Sequence, residues 1–392
     1  ILSQLPNLQP VVAKRHFHKT GTQRIFQRFC LVLTNVKKTV EEIVRLDISN
    51  VSAGAFIFLC KTKEDSQQDF ENKILELSKI KFPKPVIIGS SKTYLEFFNH
   101  ALEIAALKRV RATVLSIEGD AIAKKELNGR LTAYKNLLFN SLYLNFENAD
   151  WVFNNKKINL SNLSSIASTV SDEVFYSTPI IHNELVVRDK LSTMSMNGAV
   201  NLIQRIFNFS NEKNLGMEGH PSEFGIYLSL IKTNNLHVKK NNEFEFSINN
   251  TKNKSIKNLY DEFLKLIKSS KEPVNITDIY LRFAKQPFGI KFGALPLLIS
   301  IFFKISEGSC ALYNKDEQGK ESLVTEFNQR IAERLYHLPE TLKIMFVKIE
   351  GEKQKILDEF KSYVESRFLE NKTIENPSPL NVLKPIVVTA YK

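Results

Sequence analysis

Ala55–Cys60, AFIFLC, and Pro85–Ile88, PVII, flank the stretch Gln68–Ile80, in which Phe70, Ile74 and Leu77 recur at i, i+4 and i+7. The outer runs are short, apolar and rich in β-formers, and the stretch between them has the period of a helix packed on one face. Strand, helix, strand in that order predicts a crossover between parallel strands. Strands that are apolar at every position suit a sheet covered on both faces. With Phe26–Leu33, FQRFCLVL, as a further strand, the first hundred residues predict an α/β region.

Beyond it the pattern turns helical. Leu95, Phe98, Leu102, Ala105 and Ala106 make one stripe, and Asp120 can cap a second long helix in which Leu127, Leu131, Tyr134, Leu138 and Leu142 recur. Trp151–Leu163 reads as a polar loop with a short strand at most, followed by helices around Glu184–Leu191, Ser195–Phe209 and Ser222–Lys232. Asn249–Lys257, NNTKNKSIK, lacks apolar periodicity and reads as a linker. Helices at Leu259–Ile267, Ile276–Ala284 and Phe292–Ile305 come next. A hairpin follows, CALYN and ESLVTEF joined by KDEQGK, with Gly319 in the turn. Helices followed by a two-stranded wing predict a winged-helix arrangement. Ile356–Phe368 is a further helix. The fold class is therefore α/β followed by mainly α: an α/β region at 1–110 with a partial parallel sheet, a helical bundle at 111–250, a winged-helix-like module at 251–350, and a helix with a tail at 351–392.

The 392 residues exceed the roughly 250–300 at which single cores stop growing, so two or three domains are expected. A hydrophobic content of 43% excludes intrinsic disorder. The longest apolar stretch, Ala294–Phe303, contains Pro296 and is about half of the ~20 residues a membrane span needs, so no membrane partner is expected. Three widely spaced cysteines, Cys30, Cys60 and Cys310, suit a reducing cytoplasm. The chain starts at Ile1 without a leader pattern and ends in a Pro-containing tail at 376–392, which reads as an internal cut from a longer protein. A formal net charge of +12 permits binding to nucleic acid without requiring it.

Gly89-Ser90-Ser91-Lys92-Thr93 after a strand resembles a phosphate loop, but only two residues separate the glycine from the lysine and the second glycine of G-x-x-x-x-G-K-[ST] is absent. The arc is too short, and no strand ends in the adjacent Asp-Glu that would hold Mg²⁺. An ordinary strand-to-helix turn is the simpler reading. Lys14, Arg15, Lys19, Arg24 and Arg28 cluster without an acid among them and are interleaved with His16, Phe17, His18 and Phe26. Such a cluster grips nucleic-acid phosphates, or is a solvated face, or places Arg24 as an arginine finger that senses a neighbouring nucleotide. His16 and His18 have no third ligand nearby, so no metal site is expected. Glu184 and Arg188, at helical spacing, form either a surface ion pair or part of a sensor with His182. The seven histidines are scattered, so no catalytic residue is assigned. The two glycines and two prolines of Gln286–Leu298 fix a sharp turn before a helix that is apolar on nearly every face. That helix is expected to be buried, leaving the wing, Lys315–Lys320, as the nucleic-acid contact of the module.

The blocks HKTGTQR at 18–24, ALKRVRATVLSIEGDAIAKKELNGRL at 106–131, TPIIHNELVVRDKLS at 178–192, GHPSEFGIYLSLI at 219–231 and QPFGIKFGALPLLIS at 286–300 carry a family resemblance. The sequence resembles the middle region of the large P-loop (AAA+-like) ATPases encoded in bacterial anti-phage defence islands, of the BREX type. The resemblance implies that residues 1–110 are the trailing part of an ATPase domain. It also implies a P-loop upstream of these blocks, so that ATP and Mg²⁺ belong to the full-length protein and not to this segment. Double-stranded DNA, other defence-system proteins and a homo-oligomer are the implied partners. A non-enzymatic DNA-binding regulator or scaffold with a winged-helix module is the competing expectation.

Overall fold

The computed structural model describes residues 5–49, 51–62, 65–91, 95–114, 119–240, 242–316, 318–347 and 352–369, with a few positions between 374 and 389. They form two compact units: residues 1–19 with 23–174, and Thr20–Thr22 with Phe175–Lys392. The four-part division read from the sequence has its cuts at 110, 250 and 350. Residues 111–174 lie with the sheet, and the change of unit falls at Val174–Phe175.

The first unit is built on a six-stranded sheet whose strands neighbour one another in sequence order: β1 (Val11–Val12), β2 (Ile25–Leu33), β3 (Gly54–Lys61), β4 (Val86–Ser90), β5 (Asp150–Phe153) and β6 (Lys156–Ile158). The expected parallel sheet is its centre only. β2, β3 and β4 are parallel, whereas β1 and the β5–β6 hairpin pair antiparallel at the edges, so the sheet is mixed. Alternation explains why β3 is apolar throughout. Phe56, Phe58 and Cys60 face one layer and Ala55, Ile57 and Leu59 the other. The helices α2 (Val36–Arg45) and α3 (Gln67–Ser78) cover the second face through Ile43, Phe70, Ile74 and Leu77. The first face is covered by α4 (Leu95–Thr113), α5 (Ala121–Glu147) and α6 (Leu163–Val174). As expected, Asp120 caps α5, accepting from the amides of Ile122 and Ala123. A short α1 (Lys14–Thr20) precedes β2.

The stretch expected as a loop at 151–163 instead holds the β5–β6 hairpin. Asn154 and Asn155, at φ 47° and 61°, make the two-residue turn. Trp151 is fully buried and donates its indole N–H to the Phe146 carbonyl.

The second unit has one continuous core spanning Ile181 to Ile344. It contains α7 (Thr193–Asn208), a helical turn at Phe224–Ile226 that widens to a π-helix at Tyr227–Lys232, and the hairpin β7 (His237–Lys240) and β8 (Glu243–Phe246). Then come α8 (Lys254–Ser269), β9 (Val274–Asn275), α9 (Ile276–Ala284), α10 (Leu295–Ile305), β10 (Cys310–Lys315), β11 (Glu321–Leu323), α11 (Gln329–His337), β12 (Leu342–Phe346) and α12 (Glu352–Phe368). Four of these strands form an antiparallel sheet in the order β11-β10-β12-β9. The expected hairpin is β10–β11, with Gly319 at φ 86°.

Two expectations are corrected. Residues 184–191 are turns and bends rather than helix, because Asn183 and Gly293 take their backbone groups. The linker expected at 249–257 is the capping segment of α8: Asn253 accepts from the Ile256 amide, and the residues on both sides pack into the same core. The helix expected from Phe292 starts at Leu295, with Pro296 in its first turn, and every residue from Leu295 to Phe303 is buried as foreseen. No helix among the described residues is long and apolar enough to cross a membrane.

Candidate functional site

The segment 178–192 has no regular secondary structure, yet the second unit holds it along its length. The Thr178 hydroxyl donates to the Phe288 carbonyl at 2.7 Å, and the Ile181 amide donates to the Thr20 carbonyl at 2.9 Å. The Asn183 side-chain amide donates to Ser229 Oγ at 2.7 Å, and Asn253 donates to the Ile180 carbonyl at 3.2 Å. The Gly293 amide donates to the Arg188 carbonyl at 2.8 Å. Irregular backbone can be buried only when such partners satisfy it. Four of the five sequence blocks that carry the resemblance therefore meet at one segment, through Thr20, 178–192, Ser229 and the 286–300 turn.

Glycine is required at two of these meetings. Gly21, at φ +76°, lies so close to Ile181 that a Cβ would sit 2.0 Å from its carbonyl oxygen. A Cβ on Gly293 would sit 2.5 Å from Leu191 Cδ2 and 2.6 Å from the Val186 carbonyl oxygen.

Beside Gly293 opens a cavity of about 520 Å³. Leu191, Met196, Tyr280, Phe292, Pro296 and Leu335 supply apolar walls, and Thr193, Asn197, Thr277 and His337 supply polar groups. The first turns of α7, α9 and α10 border it. Two of those turns are capped from within, since Ser192 accepts from the Ser195 amide and Asn275 from the Thr277 amide. Both phenols of the wall are committed: Tyr280 donates to the Leu335 carbonyl at 3.0 Å and Tyr336 to the Gly293 carbonyl at 3.1 Å. Burial pushes both phenols above their ordinary pKa, so they remain donors. At the edge, Lys291 Nζ donates to Asp189 Oδ2 at 2.6 Å, which neutralises both charges. No nucleophile and base stand together in the lining. The cavity suits binding an aromatic or aliphatic group with a few polar contacts.

The basic cluster expected at 14–28 is dispersed. Lys14 is exposed at the start of α1. Arg15 donates to Thr169 Oγ1 at 2.9 Å, and Arg15 and Lys19 approach Asp172 at 3.6 and 3.4 Å. The same carboxylate accepts from Nδ1–H of the buried His16 at 2.8 Å. Burial outweighs Asp172 and pulls the His16 pKa down, with Arg24 acting in the same direction. Arg24 is buried within the first unit. Arg28 donates to the Gln9 carbonyl at 2.8 Å and lies over the rings of Tyr143 and Phe146. Glu184 and Arg188 approach to 3.8 Å as an exposed pair, on a turn and not a helix. Lys315 and Lys320 are exposed on the β10–β11 turn, where Asp316 accepts from the Gln318 and Lys320 amides.

Gly89 belongs to β4, where it pairs with Trp151 of β5 and a Cβ would lie 2.4 Å from the tryptophan ring. Lys92 and Thr93 lie outside the described residues. Among the described residues no group of carboxylates, histidines and cysteines is placed to hold a metal ion. Cys30 and Cys60 lie 3.6 Å apart, sulfur to sulfur, on neighbouring strands. The hydrogen bond to Cys30, then burial, raises the Cys60 thiol pKa.

Sequence reasoning missed the cavity residues Thr193, Asn197, Tyr280, Tyr336 and His337. They come from segments far apart in the chain, and only the glycine-proline turn around Gly293 marked the place. Comparison with family models, curated proteins and solved structures finds no match to this chain.

Proposed function

We propose that this chain is the coupling region of a bacterial anti-phage defence P-loop ATPase, passing nucleotide state to bound DNA or to a partner protein, with the P-loop itself upstream. The observation that carries this reading is the place of Thr20-Gly21-Thr22. These residues run from the last residue of α1 toward β2, yet belong to the second unit, where the Thr20 carbonyl accepts from the Ile181 amide. In this reading the chain itself is the link: α1 and β2 are joined covalently to residues that bond segment 178–192. The parallel strands β2, β3 and β4 with α2 and α3 on one face support an ATPase-like sheet for the first unit.

The order α8, β9, α9, α10, β10, β12, with β12 between β10 and β9, supports a winged-helix module whose wing is β10–β11 and into which α11 is inserted. Its third helix, α10, is buried, so the module packs against its own protein and does not read bases with that helix. The same module and the +12 charge favour the second reading, a non-enzymatic DNA-binding regulator or scaffold.

ATP binding and turnover by the full-length protein and by residues 1–392 test the first reading. Turnover by the full-length protein alone is expected. Robust turnover by residues 1–392 would place the nucleotide site within this chain, and none from either protein would leave the regulator.

A further inference from the structure

We propose that the outer end of the α4–α5 helix pair, residues 105–114 and 119–131, is an arm that grips the phosphate backbone of double-stranded DNA. The proposal rests on the DNA-binding half of the function given above and assigns it to a surface. α5 has 27 residues, about 40 Å of helix, whereas the eight residues of β3 extend about 27 Å, so the pair outruns the sheet it covers. Burial agrees. The fully buried positions of α4 end at Ile104, and in the first ten residues of α5 only Leu127 is buried.

Residues 106–131 carry six Lys and Arg against three acids, Glu118, Asp120 and Glu126. Asp120 spends its carboxylate on the α5 cap, and Glu126 pairs with Arg130 at 2.9 Å. Arg109, Arg111, Lys124 and Lys125 are exposed and their side chains make no ion pair among the described residues. Four exposed cations with no ion pair among the described residues, at the end of a helix pair, match a polyanion. In the cluster at 14–28, by contrast, Arg24 is buried, Arg28 donates to Gln9, and Arg15 and Lys19 share Asp172.

The absence of aromatic side chains from 106–131 selects the partner. Single strands are held by stacking bases on aromatic rings, and interfacial membrane helices by Trp, Phe and Leu on one face. This arm has no aromatic ring for stacking and no Trp or Phe for an interfacial face, and its Leu127 and Leu131 are buried, so its contacts are with backbone phosphates and depend on salt.

Fluorescence anisotropy of a labelled duplex with the 392-residue chain tests the assignment. Four phosphate contacts predict a loss of about 100-fold in affinity between about 50 and 200 mM salt. The variant Arg109→Gln/Arg111→Gln/Lys124→Gln/Lys125→Gln, checked for an unchanged thermal midpoint, is expected to lose at least about 100-fold at the lower salt and most of the salt slope. The variant Lys14→Gln/Lys315→Gln/Lys320→Gln is expected to retain binding. If the wild type binds duplex and the arm variant binds equally well, the arm assignment falls while DNA binding stands. If the wild type fails to bind at low salt, both fall. Tighter binding to single strands or to anionic vesicles than to duplex would overturn the choice of partner.

Discussion

The amide of Gly293 donates to the carbonyl of Arg188 at 2.8 Å, and at that separation the glycine has no room for a side chain. A Cβ would stand 2.8 Å from the same oxygen and 2.6 Å from that of Val186. The contact fixes the turn before α10 against segment 178–192, where one wall of the cavity begins.

Gly293→Ala is therefore expected to lower the stability of the second unit by about 1–3 kcal/mol, the range for forced overpacking. Gly308→Ala, where a Cβ would meet nothing within 4 Å, is the control. Equal denaturation midpoints for the two variants would contradict the close approach.

Gly21→Ala meets two penalties at once. Its φ of +76° costs an L-residue about 1–2 kcal/mol, and the added methyl would collide with the Ile181 carbonyl at 2.0 Å. A total loss of about 3 kcal/mol or more is expected. Under the proposed coupling, the same variant of the full-length protein should bind ATP normally while its DNA affinity stops responding to nucleotide. DNA affinity that still tracks nucleotide would argue against coupling through this loop.

Glu223 is 5% exposed and pairs with Arg205 at 2.9 Å. Burial pushes its carboxyl up, but its own backbone amide, Arg205 and Ser222 together outweigh that push and hold it below the usual carboxylate range. Because the folded pKa is depressed, the pair's contribution is present above the unfolded pKa of about 4.3 and is lost as pH falls through the folded value. Glu223→Ala at neutral pH should cost about 3 kcal/mol, the lower end for breaking a buried pair, since Arg205 is partly exposed. Urea titration of both proteins at pH 7 measures it, and a difference below about 1 kcal/mol would reduce the pair to a surface contact.

His237 gives the second pH effect. Its Nε2–H donates to the Ser210 carbonyl at 2.8 Å and its Nδ1 accepts from the Tyr227 hydroxyl at 3.1 Å, so both nitrogens are used by the neutral ring. Burial lowers its pKa against the opposing pull of Ser210. The unfolded chain then takes up a proton that the folded one refuses. Stability is full above about pH 6.5 and falls as pH drops toward the folded value, by at most about 1.4 kcal/mol per pH unit. Comparing the wild type with His237→Gln at pH 7.5 and 5.5, chosen as about one unit either side of that pKa, should show a smaller acid loss in the variant. The same loss in both would exclude His237 as the source.

The sheet centre was legible because its code is local. Residues 55 to 60 alternate between two covered faces, and Phe70, Ile74 and Leu77 mark the helix that crosses between them. The burial of α10 was legible from composition. The β5–β6 hairpin was obscured by Asn154-Asn155, which looks like loop composition until both residues are seen at positive φ. Residues 184–191 carry helical spacing, but the local turn bonds to Asn183 and the bond from distant Gly293 to the Arg188 carbonyl override a weak preference. The cavity had only one local signal, the glycine-proline turn around Gly293, since its walls belong to four separate stretches of sequence.

The excursion at Thr20–Thr22 governs how the gene can be divided. The chain passes between units at 19–20, 22–23 and 174–175, so one cut at the last junction liberates neither unit whole. The N-terminal piece keeps three residues that belong to the other fold, and the C-terminal piece loses the carbonyl that accepts from Ile181. The two units are not modules to be shuffled separately. Recombination has to inherit them together, as does any expression of one without the other.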